Sequence, residues 1–189
     1  MALEGQKTTS DYLEWEKFQY LIDELEKEGE TKFALLISSG CYLGLRISDL
    51  LQLKWNQLYC NTKLTITEQK TGKERTLTIH PELESIVDRL YNNQPLEEYI
   101  FINRYKTKPI NIQYVNRKLK TIMQHYHIKG RYSSHFMRKT LGRRIWNQNN
   151  NSEKALVLLG QLFNHSSIQT TKIYLGIRQK EIRNIYLTL

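Results

Sequence analysis

Residues 163–174 read Phe-Asn-His-Ser-Ser-Ile-Gln-Thr-Thr-Lys-Ile-Tyr, and the rest of the chain is organised around them. His165 and Tyr174 stand nine residues apart, across a turn rich in serine and threonine. A tyrosine hydroxyl so placed can act as a nucleophile. Tyrosine also packs in protein cores, and 12 of the 189 residues are tyrosine. Taken alone, the stretch therefore favours a structural role for Tyr174.

Nearer the N-terminus, residues 133–141 read Ser-Ser-His-Phe-Met-Arg-Lys-Thr-Leu. A serine cap predicts the start of a helix, and His135 and Arg138 would share one face of its first turn. Free backbone N–H groups at a helix start favour anions. A lone histidine is more often a core residue, but a histidine beside an arginine at a helix start indicates a phosphate-binding site.

A predicted β-hairpin lies nearer the N-terminus. Residues 63–79 alternate apolar and polar side chains on both sides of a turn, Lys70-Thr-Gly-Lys73. Lys70 at the tip can lie against a phosphate backbone and donate a proton. The alternative is a solvated lysine, and Lys73 stands on the same turn.

Residues 44–50, Gly-Leu-Arg-Ile-Ser-Asp-Leu, place an arginine between two predicted helices. Gly44 can end the first helix, so Arg46 would project from the junction. The alternative is a surface ion pair between Arg46 and Asp49.

Apolar side chains recur at helical spacing over most of the remaining chain. Residues 99–102 are predicted to add a short third strand. The fold class is therefore mainly α with a small antiparallel β-sheet (α+β), in one domain, although the length also allows two small ones. The predicted helices cover residues 11–28 with a capping box from Asp11 to Glu14, 31–43, 81–92 with Pro81 at its first position, 111–127 and 152–162.

The net charge of +9 is unevenly distributed. Residues 1–30 hold three lysines and nine acidic residues, a net −6, so the other 159 residues carry 25 basic and 10 acidic side chains, a net +15. A basic surface of this kind indicates a polyanion such as nucleic acid, or simply a solvated face. No apolar run reaches the length of a membrane span and no signal peptide is recognisable, so we expect a cytoplasmic protein. Cys41 and Cys60 are expected to be free thiols.

Together these segments supply two arginines, two histidines, a lysine and a tyrosine. No carboxylate cluster suited to Mg²⁺ accompanies them. This set predicts phosphoryl transfer without a metal or cofactor, in which guanidinium groups bind the non-bridging phosphate oxygens and tyrosine attacks phosphorus.

These motifs, in this order, resemble the catalytic domain of the tyrosine recombinases of the phage integrase family. Residues 44–50 resemble the family's first arginine box, Lys70 its catalytic lysine, and His135 to Arg138 its His-x-x-Arg box. Residues 165–174 resemble the closing box with the nucleophile.

The resemblance implies a site-specific recombinase or integrase that forms a covalent 3′-phosphotyrosine on double-stranded DNA. Arg46 and Arg138 would clamp the scissile phosphate, and Lys70 would be the general acid for the 5′ oxygen. Two histidines, at positions 135 and 165, would bind the phosphate and assist proton transfer. The implied assembly is a DNA-dependent homo-oligomer, a tetrameric synapse, and the implied source a bacterium, phage or mobile element.

Three features depart from the family pattern. Asn164 replaces the usual glycine before the histidine, and Asn tolerates the left-handed geometry that the turn needs. The gap between Arg138 and His165 is long, which an Asn-rich loop at residues 147–151 would explain. The family's N-terminal core-binding domain is missing, so residues 1–189 are expected to form a catalytic domain only.

Two other functions fit parts of the pattern: a type IB topoisomerase, which shares the residue roles, and a non-catalytic DNA-binding regulator. An apolar stripe in the tail, at Ile182, Ile185, Tyr186 and Leu189, either packs on its own domain or, as the family resemblance implies, docks on a neighbouring subunit.

Overall fold

The computed structural model describes residues 10–177 and 186–187. In the first range the chain forms short and long helices and one hairpin, as the sequence predicts. The elements, in chain order, are α1 (Trp15–Lys27), α2 (Thr31–Leu43), α3 (Ile47–Leu50), α4 (Trp55–Leu58), β1 (Lys63–Thr67), β2 (Glu74–Thr78), α5 (Pro81–Leu90), α6 (Ile112–His125), α7 (His135–Gln148), α8 (Glu153–Phe163) and α9 (Ile168–Leu175).

Helix α2 is the central element, buried along almost its whole length. It packs against α1, α5 and α7. A Cβ added to Gly40 would lie 2.5 Å from Met137 Sδ, so only glycine allows α7 to approach this closely. Gly44 ends α2 at φ 62°, in the left-handed region, as expected. This tight crossing fixes α7 relative to the segment that carries Arg46.

The two strands pair antiparallel, with Leu64 opposite Leu77 and Thr65 opposite Thr76. The prediction of a third strand over residues 99–102 is wrong. Tyr99 forms an isolated bridge with Lys54 and Ile102 one with Pro109, so this segment joins two loops rather than the sheet.

The Asp11–Glu14 capping box is also wrong. Helix α1 starts after Glu14, whose side chain makes no cap hydrogen bond. Asp11 instead pairs with Arg131, whose backbone N–H donates to Asp11 Oδ2 at 2.7 Å while Asp11 N–H donates to Arg131 O at 2.7 Å. Pairing with a distant loop has overridden the local motif.

The buried side chains form two clusters. The larger contains α1 to α6 and the first turn of α7, including Phe136 and Met137. The smaller lies around Trp146, Phe163 and Leu175. Helix α7 contributes to both, and Arg138 on its first turn contacts Phe163 of the smaller cluster.

Two further expectations concern the cysteines and the tail. Cys41 is buried, Cys60 is exposed, and both are free thiols. The tail stripe lies outside the described residues, apart from Tyr186, which is exposed with its neighbour Leu187. Within residues 10–177 and 186–187, no helix is both long and apolar enough to cross a membrane.

Candidate active site

Arg138, on the first turn of α7, ties three segments together. It is only 5% exposed. Nη1 donates to Gly44 O and Nη2 to Phe163 O, both at 2.7 Å, and the guanidinium lies 4.4 Å from the centre of the Phe163 ring. Burial, and then the charge of Arg46, lowers the Arg138 pKa to about 10. Arg138 is therefore a charged group at pH 7, held in one orientation by two carbonyls.

Arg46 immediately precedes α3, and its side chain pairs with Glu68 rather than with Asp49. The alternative of a surface ion pair with Asp49 is wrong. Arg46 Nη1 donates instead to Glu68 Oε2 at 2.8 Å, while Asp49 is buried and its Oδ1 accepts from Gln69 N–H at 3.0 Å. Arg46 lies close enough for its charge to lower the pKa values of His135, Arg138 and His165.

Glu68 was not foreseen as part of the site. Its carboxylate, 1% exposed, bridges Arg46 and Arg75, with Arg75 Nη1 2.7 Å from Oε1. Burial raises its pKa, but hydrogen bonds from Arg75, Arg46 and Thr71 outweigh burial and lower it to about 2. One sequence signal could have revealed it: Glu68 continues the buried phase of the alternating residues Leu64 and Ile66, where a charge needs a partner.

His165 follows the left-handed residue Asn164, whose φ of 51° confirms the expected turn geometry. His165 Nδ1 lies 3.1 Å from Thr171 Oγ1, and that hydroxyl donates to Ser167 O at 3.3 Å. With the hydroxyl hydrogen directed to Ser167 O, the histidine donates from Nδ1 to Thr171, and this tautomer has its lone pair on Nε2. Burial, followed by the charges of Arg138 and Arg46, lowers its pKa to about 4. His165 is neutral at pH 7.

Tyr174 lies among aromatic rings. Its ring centre is 5.1 Å from that of His165, 5.7 Å from Phe163 and 6.4 Å from His135. Its hydroxyl is buried and makes no hydrogen bond to any described residue. Burial raises the Tyr174 pKa to about 12, although Arg138 and Arg46 act in the opposite direction.

Helix α7 also supports the tyrosine. Lys139 Nζ lies 5.4 Å from the centre of the Tyr174 ring and donates to Ser10 O at 2.7 Å. Arg143 Nε donates to Leu175 O, at the end of α9, at 2.9 Å. A Cβ on Gly142 would lie 2.5 Å from Leu175 Cδ2, so α7 and α9 touch closely. None of these supporting residues is predicted by a motif in the sequence.

His135 completes the group on α7. The residue as a whole is exposed, but protein atoms surround its ring. Burial of the ring, and then the charges of Arg138, Lys139 and Arg46, lower the pKa of His135. Five of the six residues expected at the site thus act on one another through their charges or ring contacts. They are Arg46, His135, Arg138, His165 and Tyr174.

Lys70 is the exception. It is exposed, and it makes no hydrogen bond or ion pair within the described part of the chain. Its turn is closed by Glu68, whose carbonyl accepts from Gly72 N–H at 2.8 Å and whose N–H donates to Lys73 O at 2.9 Å. Lys73 is exposed too, so the geometry does not choose between the two lysines.

An open groove of about 1040 Å³ begins beside this turn, where Gln69 contributes to its wall. None of the described residues that line it is acidic. Its basic side chains are Lys32, Arg104, Lys108 and Arg117, and Tyr105 and Tyr114 add aromatic rings.

Residues 10–177 and 186–187 contain no group of three His, Cys, Asp or Glu side chains arranged to hold a metal ion.

The low pKa of His165 predicts a pH effect on stability. Between the usual value of 6.5 and about 4, the unfolded chain binds more protons at this residue than the folded one. The free energy of unfolding should therefore fall as the pH is lowered through this window, with His165 contributing on the order of 2 kcal/mol. We expect His165→Gln to remove that share of the slope in urea titrations at pH 7 and pH 4.5.

The matched control is His127→Asn, because His127 is an exposed histidine with a φ of 53° that Asn tolerates. It should keep the wild-type slope. Equal slopes for His165→Gln and the wild type would contradict the prediction.

Known proteins resemble this chain over most of its length. It is 28% identical over 171 residues to "Probable integrase/recombinase YoeC" of Bacillus subtilis (strain 168), covering 90% of this chain and 91% of YoeC. It is 23% identical over 178 residues to "Tyrosine recombinase XerC" of Caldanaerobacter subterraneus subsp. tengcongensis, covering 91% of this chain but 49% of XerC. The chain thus spans about half the length of that XerC.

A solved structure shows the same fold. The XerH site-specific recombinase bound to palindromic difH substrate, in a post-cleavage complex, superposes with a TM-score of 0.66 at 18% identity, covering 95% of this chain and 53% of XerH. The predicted fold class, mainly α with a small antiparallel sheet and the architecture of a tyrosine recombinase catalytic domain, is confirmed.

The model of the phage integrase family matches residues 11–181. Tyrosine recombinases of this family are enzymes that cleave and rejoin DNA strands, and the predictions of the family and of an enzyme of this type are both confirmed. The chain belongs to the phage integrase family.

Proposed function

We propose that this chain is the catalytic domain of a site-specific DNA recombinase that cleaves and rejoins strands through a 3′-phosphotyrosine on Tyr174. The observation that carries the proposal is the packing of Tyr174 against His135 and His165, within reach of the charges of Arg46 and Arg138. A nucleophile, two anion-binding cations and two neutral bases are the groups that phosphodiester cleavage needs.

The two arginines take the place of a metal in this proposal. Guanidinium forks on Arg46 and Arg138 would bind the non-bridging oxygens and stabilise the charge that builds up on them at phosphorus. Arg138 is already oriented by two carbonyls, so little reorganisation would accompany catalysis.

The nucleophile must lose its proton as it attacks. With a pKa of about 12, only about one Tyr174 in 10⁵ is ionised at pH 7. His165 is neutral with a lone pair on Nε2, so it can accept that proton. The new bond joins the Tyr174 oxygen to phosphorus, and the P–O5′ bond breaks. Lys70 would protonate the departing 5′ oxygen, and religation reverses these steps without ATP.

DNA is the proposed substrate, and the groove beside the hairpin is its proposed path away from the scissile phosphate. Four basic residues and no described acidic ones line it, so the DNA backbone would meet only positive charge there. The DNA-bound recombinase XerH has the same fold. By the same resemblance we propose that recombination takes place in a DNA-dependent homo-oligomer, a tetrameric synapse.

The test is covalent adduct formation on a nicked suicide substrate in excess EDTA. We expect the protein–DNA adduct to form at the same rate with and without the chelator, because protein cations neutralise the phosphate charge. A rate restored only by added Mg²⁺ would contradict the metal-free mechanism. DNA binding without any adduct would point to a DNA-binding regulator, and relaxation without exchange between two duplexes to a topoisomerase.

Replacing the 5′ leaving oxygen with sulfur identifies the general acid, because sulfur leaves with little protonation. We expect Lys70→Ala to lower cleavage of the oxygen substrate by about 10²–10⁴-fold and to recover on the sulfur substrate. Lys73→Ala is the matched control, three residues away on the same turn, and should behave like the wild type. Recovery of the Lys73 variant alone would transfer the role to Lys73.

A further inference from the structure

A buried carboxylate at the centre of the candidate site has no part in the proposed chemistry. Glu68 lies between Arg46 and Arg75, with one oxygen to each, at 2.8 and 2.7 Å. Thr71 Oγ1 also donates to Oε2, at 2.8 Å. Such a charge is costly to bury and would repel a phosphate held by Arg46, so its presence calls for a reason.

The second arginine supplies part of that reason. Glu68 paired with Arg46 alone would cancel the charge that a phosphate needs. With Arg75 on the other oxygen, the three side chains carry a net charge of +1. Arg75 is also close enough to Arg138 for its charge to lower the Arg138 pKa, so it adds to the positive field of the site.

The backbone supplies the rest. Glu68 follows directly after β1, and its N–H and carbonyl close the turn that bears Lys70. Arg75 lies on β2, opposite Ile66. One residue thus connects the guanidinium of Arg46 to the hairpin, across 22 positions of sequence.

We propose that Glu68 and Arg75 are positioning residues for strand cleavage. Glu68 orients the guanidinium of Arg46 and ties it to the turn that carries Lys70, while Arg75 offsets the carboxylate so that Arg46 keeps its charge for the phosphate. This inference rests on the proposed cleavage function.

A double-mutant cycle on the cleavage rate is the test. Arg75→Met keeps the aliphatic stem but leaves Glu68 to neutralise Arg46, and we expect cleavage to fall about 100-fold. Glu68→Gln keeps the shape and loses the anchoring charge, and we expect a fall of about 10-fold. The double variant should cleave about as fast as Glu68→Gln, roughly 10-fold faster than Arg75→Met, because the uncompensated carboxylate is gone.

Two further variants separate positioning from stability. Arg75→Lys should restore most of the rate lost in Arg75→Met, because the charge returns. Arg89→Met is the matched control, since Arg89 also binds a glutamate, with Nε 2.9 Å from Glu26 Oε2, but outside the candidate site. It should cleave at the wild-type rate. Melting temperatures measured alongside show whether each variant is folded.

The outcomes are distinct. If the wild type forms adduct and the double variant is slower than Arg75→Met, or Arg75→Lys shows no recovery, the positioning role is overturned while the cleavage function stands. If Arg75→Met does not fold, the comparison of Arg75→Lys and Glu68→Gln with the wild type decides, and wild-type rates in both overturn the inference. A wild type that forms no adduct overturns the function and this inference together.

Discussion

Tyr174→Phe should form no covalent adduct with a nicked suicide substrate, while its DNA affinity stays within about twofold of the wild type. The change removes only the oxygen that would attack phosphorus. The ring contacts with His165, Phe163 and His135 do not involve that oxygen, so the site should keep its shape. Denaturing gels measure the adduct, and fluorescence anisotropy measures the affinity.

The same variant carries a second expectation. The Tyr174 hydroxyl is buried and has no hydrogen-bond partner among the described residues, so its removal should raise the free energy of unfolding by on the order of 1 kcal/mol. Tyr186→Phe is the matched control, because Tyr186 is the nearest later tyrosine and is 74% exposed. It should keep the adduct. Adduct in Tyr174→Phe at the wild-type level would assign the nucleophile to another residue.

Arg138→Lys should lower the cleavage rate by at least about 10²–10³-fold, because an ammonium cannot reproduce a planar fork. In the wild type, Arg138 Nη1 donates to Gly44 O and Nη2 to Phe163 O. A lysine at this position could reach only one of these carbonyls. A buried acceptor would be left unpaired, so we also expect a loss of about 1–3 kcal/mol in the free energy of unfolding.

Single-turnover cleavage at saturating protein, together with urea denaturation, checks both parts. Arg144→Lys is the matched control on the same helix, where Arg144 forms a loose ion pair with Glu16 at 3.7 Å and its guanidinium lies 5.3 Å from the centre of the Trp15 ring. It should leave both quantities unchanged. If Arg138→Lys were destabilised but cleaved at the wild-type rate under conditions where it is folded, Arg138 would be a structural residue alone.

Local sequence signals predicted the elements that depend on local physics. Helix α2 has the predicted bounds, Thr31–Leu43, because a glycine in left-handed geometry ends an apolar run. Pro81 starts α5 at its first position, and the strands follow the period-two pattern around the Lys70 turn. Asn164 takes the left-handed geometry that its residue type allows.

Two wrong expectations lie where a distant partner competes with a local one. Asp11 was expected to cap its own helix but pairs with the backbone of Arg131, 120 positions away. The alternative to a phosphate-binding role for Arg46 was an ion pair with Asp49, but Arg46 binds Glu68. In each case a contact made by the tertiary structure replaces one a few residues away. Asp11 accepts from an exposed backbone N–H of Arg131, whereas Arg46 pairs with Glu68, a carboxylate that is 1% exposed and needs a cation beside it.

The sequence by itself therefore determined the kinds of element, their order and the residue types available for phosphodiester chemistry. Only the tertiary structure decided how these groups act on one another. The close crossing at Gly40 and the two carbonyls on Arg138 set the positions of the groups. Burial then raises the pKa of Tyr174 and lowers that of His165. Periodicity and turn chemistry act over a few residues, whereas burial and electrostatics depend on what the whole chain brings together.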